Sequence, residues 1–361
     1  MLEVVDKEIE TKKEIKNKKV NKKENKSKKV LIIFFILMFL GISVILFLLY
    51  GPYPNFREWL ITSAMTTMNH KYLATWFYSD ETIKEVMDKH KVIEVGETSN
   101  PELIETENRE ETIEYENEYE RAVLEKEYEG QEYKIIDIKG KGYTGYLAVV
   151  YDASKVSVVT SKKLGTSGQY LVKMAEDNNA ILAINGGGFV DENYSSTGGI
   201  PMGTTISNGE IKTSSSYSGA GGIIGFTNEN KLILGKMSAK EAINKGIRDA
   251  VSFGPFLIVN GEASFVKGNG GWGTAPRTAI GQRKDGIVLM LVIDGRTASR
   301  PGADMKDLVE IMLNYGAYNA ANLDGGTSSA MVVNNKLIND PIDSAGRHKT
   351  RPIATGFIVK K

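Results

Sequence analysis

The chain has 361 residues, 41% hydrophobic and 25% charged, which suits one large globular domain or two small ones and excludes a collagen-like or wholly disordered chain. Forty-five Lys and Arg balance 45 Asp and Glu, so net charge gives no argument for nucleic acid or an acidic surface as partner. With no cysteine, disulfides, zinc–thiolate and iron–sulfur sites and thiol nucleophiles are impossible, while 37 glycines exceed the usual share of about 7%.

The balanced charge is an average over unlike segments. Residues 1–29 hold 11 Lys against six acidic residues and only scattered apolar ones, the pattern of a solvated basic tail. Residues 30–50 follow without a single charge; as a helix rising 1.5 Å per residue they would measure about 31 Å, enough for the hydrocarbon core. The run is too long for a signal-peptide core, and Tyr50-Gly51-Pro52-Tyr53 is no small-x-small cleavage site. The expectation is an uncleaved single-pass anchor in the cell membrane. The lysine-rich tail puts the N-terminus in the cytoplasm and the rest outside.

Residues 51–93 form an expected juxtamembrane helical segment, with Trp59, Met65, Met68, Tyr72, Leu73, Trp76 and Phe77 near helical spacing. The next stretch, 94–134, is acidic: between Glu94 and Glu129 there are 14 Glu against Arg109, Arg121 and Lys126, and it reads as a solvated stalk. With +5 in the tail and −11 in the stalk, the remainder carries +6.

From residue 135 to 361 short apolar runs alternate with turns. Strands are expected at 145–151, 156–160, 181–184, 222–226, 232–234, 255–259, 277–281, 287–293, 330–333 and 353–359, and helices at 168–178, 238–245 and 303–315, with Ser238 and Asp304 at or near helix starts. Asn208-Gly209, Asn260-Gly261 and Asp285-Gly286 are hairpin signals. The fold class is therefore α+β, a β-rich mixed-sheet domain with a few packing helices, preceded by one transmembrane helix and an acidic stalk.

Chemistry is expected where an apolar strand runs into a polar residue and then glycine, because such a strand end exposes a side chain and frees backbone N–H groups. Asn185-Gly186-Gly187-Gly188, Asp294-Gly295-Arg296 and Asp324-Gly325-Gly326-Thr327-Ser328 all have this form, and Arg277 and Arg351 each open a strand. Together they supply two carboxylates, an amide, arginines and Gly-rich loops. Guanidinium groups and backbone nests hold phosphate, and carboxylates do acid, base or nucleophile work at a sugar carbon. Gly186, Gly187, Gly325, Gly326, Thr327 and Ser328 are the expected nest, with Arg296 and Arg351 on the phosphate.

Three other motifs compete. Neither Gly loop ends in the Gly-Lys-Ser/Thr of a nucleotide-binding loop. Gly326-Thr327-Ser328-Ser329-Ala330 approaches a nucleophile elbow, so a serine hydrolase would use Ser328 with His348 and Asp340 or Asp343, though the second glycine is missing. Ser264-Phe265-Val266-Lys267 matches Ser-x-x-Lys, but the only Lys-Thr-Ser precedes it, the reverse of the penicillin-binding order.

Six segments in order carry a family likeness: Asn185-Gly-Gly-Gly-Phe, Ser252-Phe-Gly-Pro-Phe, Pro276-Arg277-Thr-Ala-Ile-Gly, Ile293-Asp294-Gly-Arg296, Leu323-Asp324-Gly-Gly-Thr-Ser-Ser and Arg351-Pro352. Over about residues 142–359 the chain resembles the phosphodiester glycosidase family, a group that takes in many bacterial exopolysaccharide-biosynthesis proteins. The resemblance implies cleavage of a sugar from a sugar-1-phosphodiester, leaving a phosphomonoester, with Asn185, Arg277, Asp294, Asp324 and Arg351 converging. Thr327 departs from the family's usual small residue but keeps a hydroxyl.

On this basis Asp324 is expected as nucleophile or general base, Asp294 as sugar-positioning or proton-transfer group, Arg277 and Arg351 on the phosphodiester and Asn185 on the sugar. No cofactor is required; a divalent cation between Asp294 and Asp324 is the rival role for those carboxylates. The partners are a sugar-phosphate polymer or glycolipid substrate and the lipid bilayer. A tethered, non-catalytic glycan-phosphate binding or exopolysaccharide assembly protein would use the same inventory.

Overall fold

The structure is a computed structural model that describes residues 26, 28–67, 70–105, 114–190, 197–215, 221–343 and 345–361. Nearly all of the basic tail, Met68 and the middle of the acidic segment lie outside the described residues. The chain divides into two compact units, Met1–Leu60 and Ile61–Lys361.

In the first unit Lys28–Tyr50 is one helix, long and apolar enough to cross a membrane by length and composition. In the second, three antiparallel sheets surround one core. The largest has seven strands, in spatial order Glu262–Ala263, Phe256–Val259, Ala317–Leu323, Arg277–Arg283, Val288–Ile293, Tyr143–Val150 and Tyr133–Gly140. A five-stranded sheet runs Glu210–Ser214, Thr204–Ser207, Ile247–Phe253, Gly222–Thr227, Leu232–Gly235. The third runs Lys336–Leu337, Met331–Val333, Ala180–Asn185, Thr355–Lys360, Val156–Thr160.

Strand periodicity explains how each sheet is covered on both faces. Ala148, Val150, Val288, Met290 and Val292 point into the shared core with Leu182, Ile184, Phe226, Val251 and Phe357 from the other two sheets. The alternate residues Leu147, Val149, Leu289 and Leu291 pack under Leu308 and Met312 of helix Met305–Asn314. Helix Leu171–Asp177 likewise covers the third sheet through Met174 and Ala175. Burial on both faces is why Val288–Ile293 reads as an unbroken apolar run.

Helix starts follow local chemistry. Ser238 and Asp304 each cap their helix in a reciprocal capping box, with Glu241 and Asp307 three residues on. Asn208-Gly209 and Asn260-Gly261 take left-handed φ values of 52° and 76°, and 53° and 82°, as tight hairpins require. Buried Asp249 ties two sheets together: its Oδ1 accepts the N–H of Val158 and of Asn208, both at 3.1 Å, and Arg248 is its ion partner.

The described parts of the acidic segment are not a free spacer. Ser99 and Leu234 exchange two hydrogen bonds, N–H to carbonyl at 2.8 Å and N–H to hydroxyl at 2.9 Å. Helix Glu118–Leu124 buries Val123 beneath the seven-stranded sheet, and Tyr151 donates its hydroxyl to the Val123 carbonyl at 2.8 Å. The few apolar residues among the glutamates find a core that other segments supply. Helices Pro54–Met65, Tyr72–Thr75 and Asp80–Lys89 occur in the expected juxtamembrane stretch.

Candidate active site

Register brings the strand-end residues to one edge. Arg277 pairs with Ile293, and Thr278 with Leu323. The start of one strand, Arg277, therefore adjoins the ends of its two antiparallel neighbours, where Asp294 and Asp324 follow. In the third sheet Asn185 ends a strand opposite Gly356.

Asn185 joins the two edges. Its Nδ2 donates to the Asp324 carbonyl at 2.6 Å, while its Oδ1 accepts the Thr278 hydroxyl at 2.7 Å and the Ala330 N–H at 3.1 Å. With 1% exposure it is committed to holding the 324–330 loop. The expectation that Asn185 binds the sugar is thereby redirected: the amide shapes the loop that carries Asp324. Asn185→Ala leaves Thr278 and Ala330 unpartnered in the interior, and an unfolding titration should show a loss of about 1–3 kcal/mol.

Asp324 is half-buried and fixed through its backbone. Its N–H donates to the Gly186 carbonyl at 3.1 Å, and its Oδ1 accepts the Gly325 N–H at 3.0 Å. Asp294 is 7% exposed; its Oδ1 accepts the Asn339 amide at 2.9 Å and the Asp340 N–H at 3.0 Å. Burial pushes the Asp294 carboxyl above the ordinary aspartate value and the Asp340 charge adds to this, whereas the two hydrogen bonds and Arg300 work in the other direction. Asp294 is thus suited to hold a proton at higher pH than an exposed aspartate.

Arg277 is 4% exposed and gripped by carbonyls: Nη2 donates to Trp272 at 2.5 Å and Gly273 at 2.7 Å, and Nε donates to Ala303 at 3.2 Å. Its Nη1 lies 3.8 Å from where a Cβ on Gly325 would stand, so this end of the guanidinium faces the Asp324 loop. Burial brings its pKa down to about 10, with Asp304 opposing and Arg296 adding to the shift, which leaves the side chain charged at neutral pH.

Arg296 approaches from the other side, donating through Nη1 to the Thr327 hydroxyl and, at 2.8 Å, to the Ile342 carbonyl. Its Nη2 would touch a Cβ on Gly326 at 2.8 Å. Burial lowers its pKa; the Asp343 charge opposes this, that of Arg351 adds to it, and that of Asp324 opposes it. Arg351 stacks over the Phe189 ring at 4.5 Å.

The expected backbone nest is largely closed. Gly186 N–H donates to the Thr355 carbonyl and Gly187 N–H to the Thr355 hydroxyl. Gly325, Gly326 and Ser328 donate to Asp324 Oδ1, the Pro276 carbonyl and the Gly325 carbonyl. These glycines permit tight loop packing, and their N–H groups are taken up within the chain.

The serine-hydrolase alternative finds no geometry. Ser328 is 3% exposed, and among the described residues no hydrogen bond joins it to His348, which pairs with Asp340 at 2.7 Å on the surface. Asp343 serves its own loop, its carboxyl pushed down to about 2 chiefly by the Arg347 N–H. Ser264 is a core hydroxyl donating to the Phe256 carbonyl at 2.8 Å. For a cation between Asp294 and Asp324, no cluster of three or more His, Asp or Glu side chains able to hold a metal occurs among the described residues, and Asp294 Oδ1 already accepts two N–H donors.

Two contributors escape sequence reasoning. Asn339 links Asp294 to the 324–330 loop through a second donation, to the Ser329 carbonyl at 3.1 Å; it follows Leu337-Ile338 but has no glycine after it to mark a strand end. The loop around Trp272 and Gly273 is signalled only by the glycines at 268, 270, 271 and 273, just upstream of Arg277.

A family model described as phosphodiester glycosidase matches residues 178–360, just over half of the chain. The SPbeta prophage-derived uncharacterized protein YomE of Bacillus subtilis (strain 168) is 30% identical over 207 residues, covering 55% of this chain and 31% of that protein. The N-acetylglucosamine-1-phosphodiester alpha-N-acetylglucosaminidase of Bos taurus is 27% identical over 190 residues, covering 47% of this chain and 34% of the bovine one. The chain therefore spans about a third of the length of these curated relatives. In fold it is similar to the zebrafish N-acetylglucosamine-1-phosphodiester alpha-N-acetylglucosaminidase catalytic domain auto-inhibited by pro-peptide, with a TM-score of 0.53 and 23% identity over 63% of this chain and 82% of that one. On the strength of the matched model, the chain belongs to the phosphodiester glycosidase family.

Proposed function

We propose that the protein is a membrane-anchored hydrolase that releases a sugar from a sugar-1-phosphodiester of a cell-surface glycan or glycolipid and leaves a phosphomonoester. The observation that supports this most is the meeting of Arg277, Asp294 and Asp324 at one sheet edge, with Arg296 beside the Asp324 loop.

Glycosyl–phosphate cleavage develops positive charge on the sugar and negative charge on the departing phosphate. Arg277 and Arg296, with Arg351, answer the negative end. A phosphomonoester, whose second pKa is about 6, needs less protonation on leaving than an alcohol does. Asp324 attacks the anomeric carbon or activates water for that attack. Asp294, with its raised pKa, carries the proton that accompanies the step or holds a sugar hydroxyl. Incubation of the full chain in detergent with an N-acetylhexosamine-1-phosphodiester should release free sugar, and should do so equally in excess chelator. Saturable binding of a sugar-phosphate polymer without release would instead identify a binding protein.

The helix Lys28–Tyr50 supports the anchor, and the lysines before it support an extracytoplasmic site domain. The 361-residue chain expressed in bacterial cells should stay with membranes through alkaline carbonate washing, and protease added to intact spheroplasts should reach the 135–361 region. Release by carbonate, or protection from the protease, would contradict the anchor or its orientation.

A further inference from the structure

Residues 61–93 lie outside the family-matched stretch, yet they pack against the loop that aims Arg277. We propose that Thr62 and His90 are positioning residues for Arg277, acting through the loop at 268–273. The inference rests on the assignment of Arg277 to the phosphate.

Nη2 of Arg277 is held by the carbonyls of Trp272 and Gly273, so the direction of Nη1 toward Gly325 depends on where that loop stands. The loop is poorly equipped to hold itself. Gly268, Gly270, Gly271 and Gly273 take φ values of +55°, +76°, +78° and +57°, and a chain so rich in glycine loses much conformational entropy on ordering.

The order comes from the preceding helices. Asn269 donates its N–H to His90 Nδ1 at 3.2 Å and its Nδ2 to the Thr62 hydroxyl at 2.9 Å, while its Oδ1 accepts the Gly271 N–H at 3.0 Å. Lys267 donates to the Lys91 carbonyl at 2.9 Å, and Val92–Ile93 pairs antiparallel with Phe265–Val266. The fit is close: a Cβ on Gly268 or Gly271 would collide with His90, and one on Gly273 would stand 2.5 Å from the Ser63 hydroxyl. Asn269 thus joins the 61–93 segment to the two carbonyls that orient the guanidinium.

The test is a set of double-mutant cycles in the full chain, with steady-state kinetics on one sugar-1-phosphodiester. Asn269→Ala and His90→Ala are expected to lower kcat roughly 10- to 100-fold, the scale of a misplacement of about 1 Å. His90→Asn, which puts an amide oxygen where Nδ1 accepts, should restore most of that loss. Arg277→Lys alone should cost about 10²–10³-fold. In the Arg277→Lys background, Asn269→Ala and His90→Ala should cost less than about threefold, because the side chain through which they act has gone. Ser79→Ala removes the N-cap of helix Asp80–Lys89 without touching the loop, and should destabilise the chain while changing kcat less than about twofold. Equal losses in both backgrounds, or full activity of Asn269→Ala and His90→Ala where Arg277→Lys is impaired, would overturn the positioning role. Full turnover by Arg277→Lys would remove the phosphate assignment first, and the brace with it.

Discussion

Asp324→Asn is expected to lower sugar release from a sugar-1-phosphodiester on the order of 10⁴-fold, the scale of removing a principal catalytic carboxylate. The substitution keeps the backbone ties of the loop, while the charge it removes is one that acts on Arg296. The main-chain bonds from Asp324 to Gly186 and from Asn185 to Asp324 do not involve the carboxylate, and an asparagine Oδ1 can still accept the Gly325 N–H. What disappears is the negative oxygen to which the proposed function gives attack on the anomeric carbon or proton abstraction from water. Circular dichroism should be unchanged while turnover vanishes. Wild-type turnover by the variant would remove Asp324 from the chemistry.

Asp294→Asn should slow the reaction by about 10²–10⁴-fold, the usual range for a lost proton-transfer group, and should stabilise the protein as it does so. The sign follows from linkage. Burial raises the folded-state pKa of Asp294 above an unfolded value of about 3.9, so the folded chain binds this proton more tightly than the unfolded chain. Stability therefore falls as pH rises from the unfolded pKa through the folded one, and the cost is complete above the latter. Asparagine carries no such cost and can still accept from Asn339 and Asp340. The melting temperature of Asp294→Asn should exceed that of wild type by a few degrees in mildly alkaline buffer, and the gap should close as the pH falls toward 4. A gap that is constant with pH would show that Asp294 does not titrate in this range.

Much of this site is legible in the sequence because its chemistry sits at places that local rules mark. Asn185 and Asp294 each close an apolar run before glycine, Asp324 stands before Gly-Gly, and Arg277 opens a run; in the structure Asn185 and Arg277 are strand termini, and Asp294 and Asp324 come directly after strand ends. The caps at Ser238 and Asp304 are equally local. The strand Ala317–Leu323 is harder to see, because Tyr318, Asn319 and Asn322 interrupt its apolar character. Those amides are buried and serve distant partners: Asn319 Oδ1 accepts from Asn260 N–H, and Asn322 Nδ2 donates to the Gly254 carbonyl. The edge strand Tyr133–Gly140 mixes lysine and aspartate with isoleucine for the opposite reason, having one side near solvent.

Partners far apart in the chain account for the rest. Asn185 and Asp324 are separated by 139 residues, and nothing near Asn185 reveals that its amide will be taken by the other loop. The glycine N–H groups look available in the sequence for the same reason, since Thr355 and Pro276, which occupy several of them, come from other segments. The acidic stretch is misleading in composition because a core needs only a few apolar contacts from it. Val123 and Ile104 supply them, although glutamates surround both in the sequence.

The most direct measurement follows a sugar-1-phosphodiester by proton and phosphorus NMR during incubation with the full chain, alongside Asp324→Asn. The expected result is the loss of the diester phosphorus signal, with equal amounts of free sugar and phosphomonoester appearing in the wild-type sample and neither in the variant. An intact diester in both samples, across a panel of sugars and aglycones, would contradict a glycosidase acting at this site.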